Sequence, residues 1–498
     1  MKSFRYIPIL LSFAAAIPLQ VMAGSVDFAA YEGEHYPAIV VKYKGVSEAR
    51  ARPAASASAQ TIENIVDLKA EGIEVKKLFQ NRRSSRAATS SGAQDANGLQ
   101  RYYSLDLPEE RQGDARYINA LMERIANLSQ VELVYPASDP VPLSEDKNNS
   151  HDNTETPSRS WVSRAGSEVA IPDFTDLQGY LKSPLAFSGN KLGGINWHDV
   201  RSLAGAQGEG ITIVSAETSH WDTNHPDLPA SYRDFGGTIR VGYHDTGSVG
   251  VMGGKDNGYG IIGIANRARF GHVFARHYDK SLPSLIEVGE DLAPGDVIQV
   301  GMQVNAPGAL EISNCYGGKS SNCLVPMEFQ PAWYDAIKSL TDKGIIVIQA
   351  AGNGAVDLDS PYFDGKFDKS NRDSGAIIVG AICASRGGER AAFSTYGARV
   401  SSSSWGCSEV VTTTYGGVAA NLHTSPEYTR TFGGTSSANP IVAGAAASLS
   451  GYAKSKGIIL KPREVREILE STGTQLPNPK KRVGTQPDLV KAFRFFDE

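Results

Sequence analysis

Two short runs, Gly344–Gly352 (GIIVIQAAG) and Ser374–Ala381 (SGAIIVGA), are apolar at consecutive positions rather than at every second one. A strand with one wet face alternates; a strand covered on both faces does not. Both runs are bounded by glycine or serine and too short for a self-sufficient helix. Such strands need a layer of helices on each side, so the sheet must be mainly parallel and joined by helical crossovers.

The neighbouring pattern agrees with that demand. Strands are predicted at Gly210–Ala216, Ala268–Ala275, Asp296–Val304 and Ile345–Ala350. Helices are predicted to start at Thr246–Met252 and to run over Leu282–Leu292 and Pro331–Lys343. This is an α/β domain. In such domains sites form at the carboxyl ends of the strands, where Ala216-Glu217, Gly352-Asn353 and the turn before Ser436 all fall.

At 498 residues the chain is expected to hold more than one unit. A basic start, an apolar Ile7–Ile17 and a small-residue Val21-Met22-Ala23 read as an export signal over residues 1–23, with no later membrane anchor. Strands at Pro37–Lys44, Ile73–Phe79, Leu99–Leu107 and Val131–Tyr135 interleave with helices at Thr61–Glu71 and around Ile118–Leu128. The order β-α-β-β-α-β predicts a small ferredoxin-like α+β domain over 24–136. A polar linker follows over 137–172, open to proteolysis, and the α/β domain occupies 173–498. The net charge of -5 offers no basic field for nucleic acid. Four cysteines allow three pairings; Cys315–Cys323 and Cys383–Cys407 are expected because each closes a short loop.

The stretch Phe432–Gly444 (FGGTSSANPIVAG) reads as strand, tight glycine turn and small-residue helix, with Pro440 expected in the first helical turn. Ser436 then sits at a helix N-terminus, where a nucleophile's developing oxyanion is favoured if a base lies nearby. None of the nine histidines follows Ser436, which excludes the hydrolase order that ends in His. His244, opening a helix at a strand end, is the candidate base.

These residues carry a resemblance. In order, the chain has His225-Pro226-Asp227-Leu228, His244-x-Thr246-x-x-x-Gly250, Ala350-Ala351-Gly352-Asn353 and Gly434-Thr435-Ser436-x-Ala438-x-Pro440 with Val442-Ala443-Gly444. Over about Ser188 to Ser471 it resembles the subtilisin-like serine proteases, the subtilase family. The resemblance implies a subtilisin-like sheet with helices on both faces, preceded by a ferredoxin-like propeptide that inhibits the site and is cut away. It implies Ser436 as nucleophile, His244 as general base and Asn353 as oxyanion donor. The usual acid position is Thr218, so Glu217 is expected as the acid, with Asp222 as the alternative. Asp245 stands where the family has glycine, and Asn266 where it has proline.

The resemblance also implies a secreted endopeptidase, extracellular or periplasmic, that acts on peptides and on unfolded or loop segments. No cofactor is required; one structural calcium ion is implied on Asp227 and Asn257. Two other classes compete: a catalytically silent binding protein on the same fold, and another serine hydrolase such as an esterase.

Overall fold

The computed structural model describes residues 24–45, 68–79, 97–143, 171–187, 189–237, 240–415, 427–478 and 480–496. The expected signal segment, most of the linker and most of the Thr61–Glu71 helix lie outside these residues.

The small N-terminal unit is a sheet of β1 (Ser25–Val26), β2 (Ala38–Tyr43), β3 (Glu74–Lys77), β4 (Tyr102–Asp106) and β5 (Val131–Ala137), in the order β1-β5-β2-β4-β3. The four strands read from periodicity, β2 to β5, pair antiparallel, and β1 adds a parallel edge beside β5. The helix Ala115–Ala126 begins where the Asp114 carboxylate accepts the Tyr117 N–H. Its buried stripe of Ile118, Leu121, Met122 and Ile125 covers one sheet face through Ile39, Val41, Leu105 and Val134.

The alternate residues of the same strands, Ala38, Val40, Tyr102 and Tyr135, point the other way. They join the core of the large domain against Phe329 and Trp333. Polar contacts rim this seam: Lys42 Nζ lies 2.7 Å from Asp335 Oδ2, and Asn305 Nδ2 donates to Glu34 Oε2 at 2.9 Å.

After β5 the chain forms β6 (Val141–Pro142), which leaves the small sheet for the large domain. There β7 (Thr212–Glu217), β8 (Ser231–Phe235), β9 (Arg269–Phe274), β10 (Val297–Val300), β13 (Ile346–Ala350), β14 (Ile377–Cys383), β15 (Glu389–Arg390) and β16 (Val400–Trp405) build an eight-stranded sheet. Its order is β15-β14-β13-β10-β7-β9-β8, with β16 also on β14, and every pairing except β14–β15 is parallel.

The consecutive apolar positions split between two cores. Val214, Ile298, Val347 and Ile378 pack with the helices Tyr278–Asp291 and Pro331–Asp342 on one face. Ile213, Val297, Ile346 and Ile377 pack with the helices Tyr243–Gly253 and Thr435–Ser455 on the other. Each such side chain contributes roughly 1.5–3 kcal/mol by leaving water, so neither face tolerates a polar replacement.

Two local expectations need correction. Asp296–Val304 is not one strand: it breaks at Gly301 into β10 and β11 (Met302–Asn305), and β11 leaves the large sheet to lie between β6 and β12 (Leu324–Val325). Pro440 is not in the first helical turn, because the helix already begins at Thr435. Having no N–H, Pro440 gives the Ser436 carbonyl no partner four residues on. Both expected disulfides form, Cys315–Cys323 and Cys383–Cys407. No helix among the described residues is long and apolar enough to cross a membrane.

Candidate active site

The last strand before the serine helix, β18 (Tyr428–Phe432), pairs with β17 (Val410–Thr413) and ends at Gly433. Gly434 then adopts φ 80° and ψ -179°, a region open to glycine. Its N–H donates to the Gly406 carbonyl at 2.7 Å, which anchors the turn beside the Cys383–Cys407 bridge. Ser436 is the second residue of the helix and is 2% exposed. Its hydroxyl donates to the Leu143 carbonyl oxygen at 2.8 Å.

That same oxygen accepts a second bond, from Asn353 Nδ2 at 2.8 Å. The Asn353 amide has no freedom to turn. Its Oδ1 accepts from both the Thr435 N–H and the Thr435 hydroxyl at 2.9 Å, so Nδ2 must face Leu143. Asn353 N–H donates to Gln303 Oε1 at 2.8 Å, and Gln303 Nε2 donates to the Pro142 carbonyl at 2.9 Å. With β6 antiparallel on β11, Val141-Pro142-Leu143 lies as an extended peptide whose last carbonyl rests between Ser436 and Asn353. The Leu143 side chain is fully buried.

His244 is the second residue of the Tyr243–Gly253 helix, and its Nδ1 lies 3.3 Å from Glu217 Oε2 at the end of β7. Its Nε2 is buried with no hydrogen-bond partner among the described residues, since the Ser436 hydroxyl is turned to Leu143. Burial pulls the imidazole down, but the Glu217 charge and hydrogen bond outweigh it and leave the pKa raised. Glu217 is wholly buried; its Oε1 accepts from Gln299 Nε2 at 3.0 Å. Gln299 is held in turn by Ser215 Oγ at 2.7 Å and donates to Asn439 Oδ1 at 2.8 Å.

The longer side chain of Glu217 fits because of Gly301. A Cβ at that position would stand 1.7 Å from Glu217 Oε1. Asp222 is placed elsewhere: its carboxylate caps the Asn224 N–H at 2.9 Å in the turn. Asp245, buried next to this pair, is bonded to Ser219 Oγ. Burial first, and then the Glu217 charge, push its carboxyl up to about 8, so the two acids share the site with Asp245 protonated at neutral pH.

The calcium expectation does not fit the atoms present. Asp227 Oδ1 accepts from Asn257 Nδ2 at 2.8 Å, and Oδ2 from Ile261 N at 2.8 Å and Tyr428 Oη at 3.1 Å. Asn257 Oδ1 accepts from the Tyr259 N–H. These oxygens already serve donors, and neither residue turns an unsatisfied buried oxygen toward a cation.

Sequence reading passed over Gln299, Gly301 and Gln303. Their signal was local: in VIQVGMQV two glutamines and a glycine interrupt, at every second position, a run that is otherwise apolar.

Residues 208–485, more than half of the chain, match the sequence model of Peptidase S8, described as the subtilase family. This chain is a member of the subtilase family. The minor extracellular protease Epr of Bacillus subtilis (strain 168) is 27% identical over 284 residues, covering 56% of this subtilase and 34% of that protein. The thermostable alkaline protease of Halalkalibacterium halodurans is 28% identical over 289 residues, covering 55% and 66%. The chain therefore spans less than two thirds of either relative. Among solved structures, fervidolysin from Fervidobacterium pennivorans, a keratinolytic enzyme related to subtilisin, matches with TM-score 0.56 at 16% identity. It covers 96% of this chain and 64% of that one. At that identity the likeness concerns the subtilase fold alone.

Proposed function

We propose that this subtilase is an exported serine endopeptidase, made as a zymogen that cuts itself after Leu143. One observation carries the reading: the Leu143 carbonyl oxygen accepts from both Ser436 Oγ and Asn353 Nδ2. A peptide carbonyl so held is positioned for acyl transfer.

In this reading the Ser436 hydroxyl turns its proton to His244 Nε2, and Oγ attacks the Leu143 carbonyl carbon. The carbonyl oxygen takes up the negative charge and keeps its bond to Asn353 Nδ2. Glu217 holds Nδ1–H and stabilises the imidazolium. His244 then returns the proton to the departing Ser144 amine, leaving Leu143 as an ester on Ser436. Water, deprotonated by His244, hydrolyses the ester and frees the Leu143 carboxylate. The small domain, still packed on the helices Tyr278–Asp291 and Pro331–Asp342, keeps β6 in the cleft as an inhibitor until it is degraded. Substrates take the place of β6: extended, accessible peptide segments that add along β11, with an apolar residue before the cut bond as at buried Leu143.

The test follows intact mass for wild type and Ser436→Ala after export, each with and without a fluorophosphonate. Wild type is expected to lose everything through Leu143 and gain one label, while the variant stays uncut and unlabelled. Cleavage at another bond refutes the placement of Leu143. A folded wild type that stays unlabelled even after its linker is cut by an added protease is a binding protein on a protease fold.

A further inference from the structure

Outside the catalytic set, His220, Asp234 and His272 converge beside the loop that leaves β7. His220 Nδ1 lies 2.7 Å from the Trp221 carbonyl oxygen, and His272 Nε2 lies 2.5 Å from that of Ser219. A carbonyl only accepts, so each of these nitrogens carries a ring proton. That leaves His220 Nε2 and His272 Nδ1 as the available pair. His220 Nε2 is 2.9 Å from Asp234 Oδ1, and His272 Nδ1 is buried with no hydrogen-bond partner among the described residues. The two rings lie 4.2 Å apart.

This is the arrangement that orients histidines on a metal: each imidazole donates its far N–H to a backbone carbonyl, which fixes the tautomer and aims the other nitrogen inward. One ligand atom from each residue lies within 4.8 Å of the other two. A common centre then lies at most about 2.8 Å from each, so the side chains need to draw in by roughly 0.6–0.8 Å to reach the roughly 2.0–2.2 Å of zinc–nitrogen and zinc–oxygen bonds.

We propose that His220, Asp234 and His272 bind a divalent cation of the zinc type, with two imidazole nitrogens, one carboxylate oxygen and a fourth position open to solvent. Both histidine side chains are buried, whereas that of Asp234 is 31% exposed and provides the way in. Two neutral imidazoles and one carboxylate suit a borderline ion better than calcium, which prefers oxygen. The bound ion would tie β8 and β9 to the loop holding Ser219, whose hydroxyl is bonded to Asp245 beside the catalytic pair.

The test uses the full chain carrying Ser436→Ala, stripped with a chelator and titrated with zinc chloride by calorimetry, with cobalt absorption and thermal unfolding as parallel readouts. One zinc ion per chain is expected at micromolar affinity or tighter, with a tetrahedral cobalt spectrum and a rise in Tm. Asp234→Asn and His272→Gln are expected to weaken binding at least about tenfold. His244→Ala, which disrupts the other carboxylate–imidazole group, is expected to leave it unchanged. If His272→Gln fails to fold, the partly exposed Asp234→Asn still decides. No uptake by the parent, or uptake lost only in His244→Ala, overturns the proposal.

Discussion

Gly301→Ala should disable the proposed serine chemistry of this subtilase by a single methyl group. Gly301 separates β10 from β11 where the backbone passes the Glu217 carboxylate, and an added Cβ would lie 1.7 Å from Oε1 and 2.1 Å from Cδ. Its φ is not in the left-handed range, so the backbone itself does not oppose alanine and the effect isolates the contact. Restoring van der Waals separation pushes the carboxylate by about 1.5–2 Å. The carboxylate has nowhere to go that keeps both partners, because Oε1 accepts from Gln299 and Oε2 faces His244 Nδ1. Losing the acid of a serine-protease triad reduces kcat by about 3 × 10⁴, or about 6 kcal/mol of transition-state stabilisation, a figure from subtilisin, a member of this family.

The assay is turnover of a chromogenic peptide ending in leucine, together with the rate of cleavage at Leu143, with circular dichroism as the check on folding. A second background sharpens it. In Glu217→Ala the methyl at position 301 has no carboxylate to displace, so Gly301→Ala should cost less than about threefold further. Wild-type turnover in Gly301→Ala, or an equal loss in both backgrounds, refutes the claim that Gly301 makes room for Glu217.

Asn353→Ala removes one of the two donors on the Leu143 oxygen and should lower kcat by about 10²–10³ with KM little changed, read by steady-state kinetics. Glu328→Gln leaves the fully buried Arg399 guanidinium, now 3.0 Å from Glu328 Oε1, without its counter-charge; urea unfolding should show a loss of about 3–5 kcal/mol. Asp245 holds its proton to about pH 8 when folded, whereas the unfolded chain releases it near pH 4. The folded state thus binds more protons across that window, and the Asp245 contribution to stability falls as pH rises from about 4 to about 8. Asp245→Asn should flatten this decline in a plot of Tm against pH; an unchanged slope counts against a raised Asp245 pKa.

The catalytic candidates differ in how far their placement was legible. Ser436, His244 and Asn353 each sit in a contiguous motif at a strand end or helix start, and such turns are local structures that a few residues specify. The acid was different: Glu217 and Asp222 both follow β7, and only the approach of the Tyr243–Gly253 helix shows which carboxylate reaches His244 Nδ1.

By itself, the sequence determined the layering. Val-Ile-rich runs with no alternation must be covered on both faces, because water is excluded from each, and this holds whatever the strand order. In β2 and β4 the second buried face, Ala38, Val40 and Tyr102, is buried only because the small sheet packs on the large domain. Tertiary structure alone decided which strands are neighbours. It thereby set the Leu143 carbonyl between Ser436 and Asn353, the room that Gly301 leaves for Glu217, and the meeting of His220, Asp234 and His272. These contacts join residues separated by tens to hundreds of positions, and no local period records the distance between side chains on different strands.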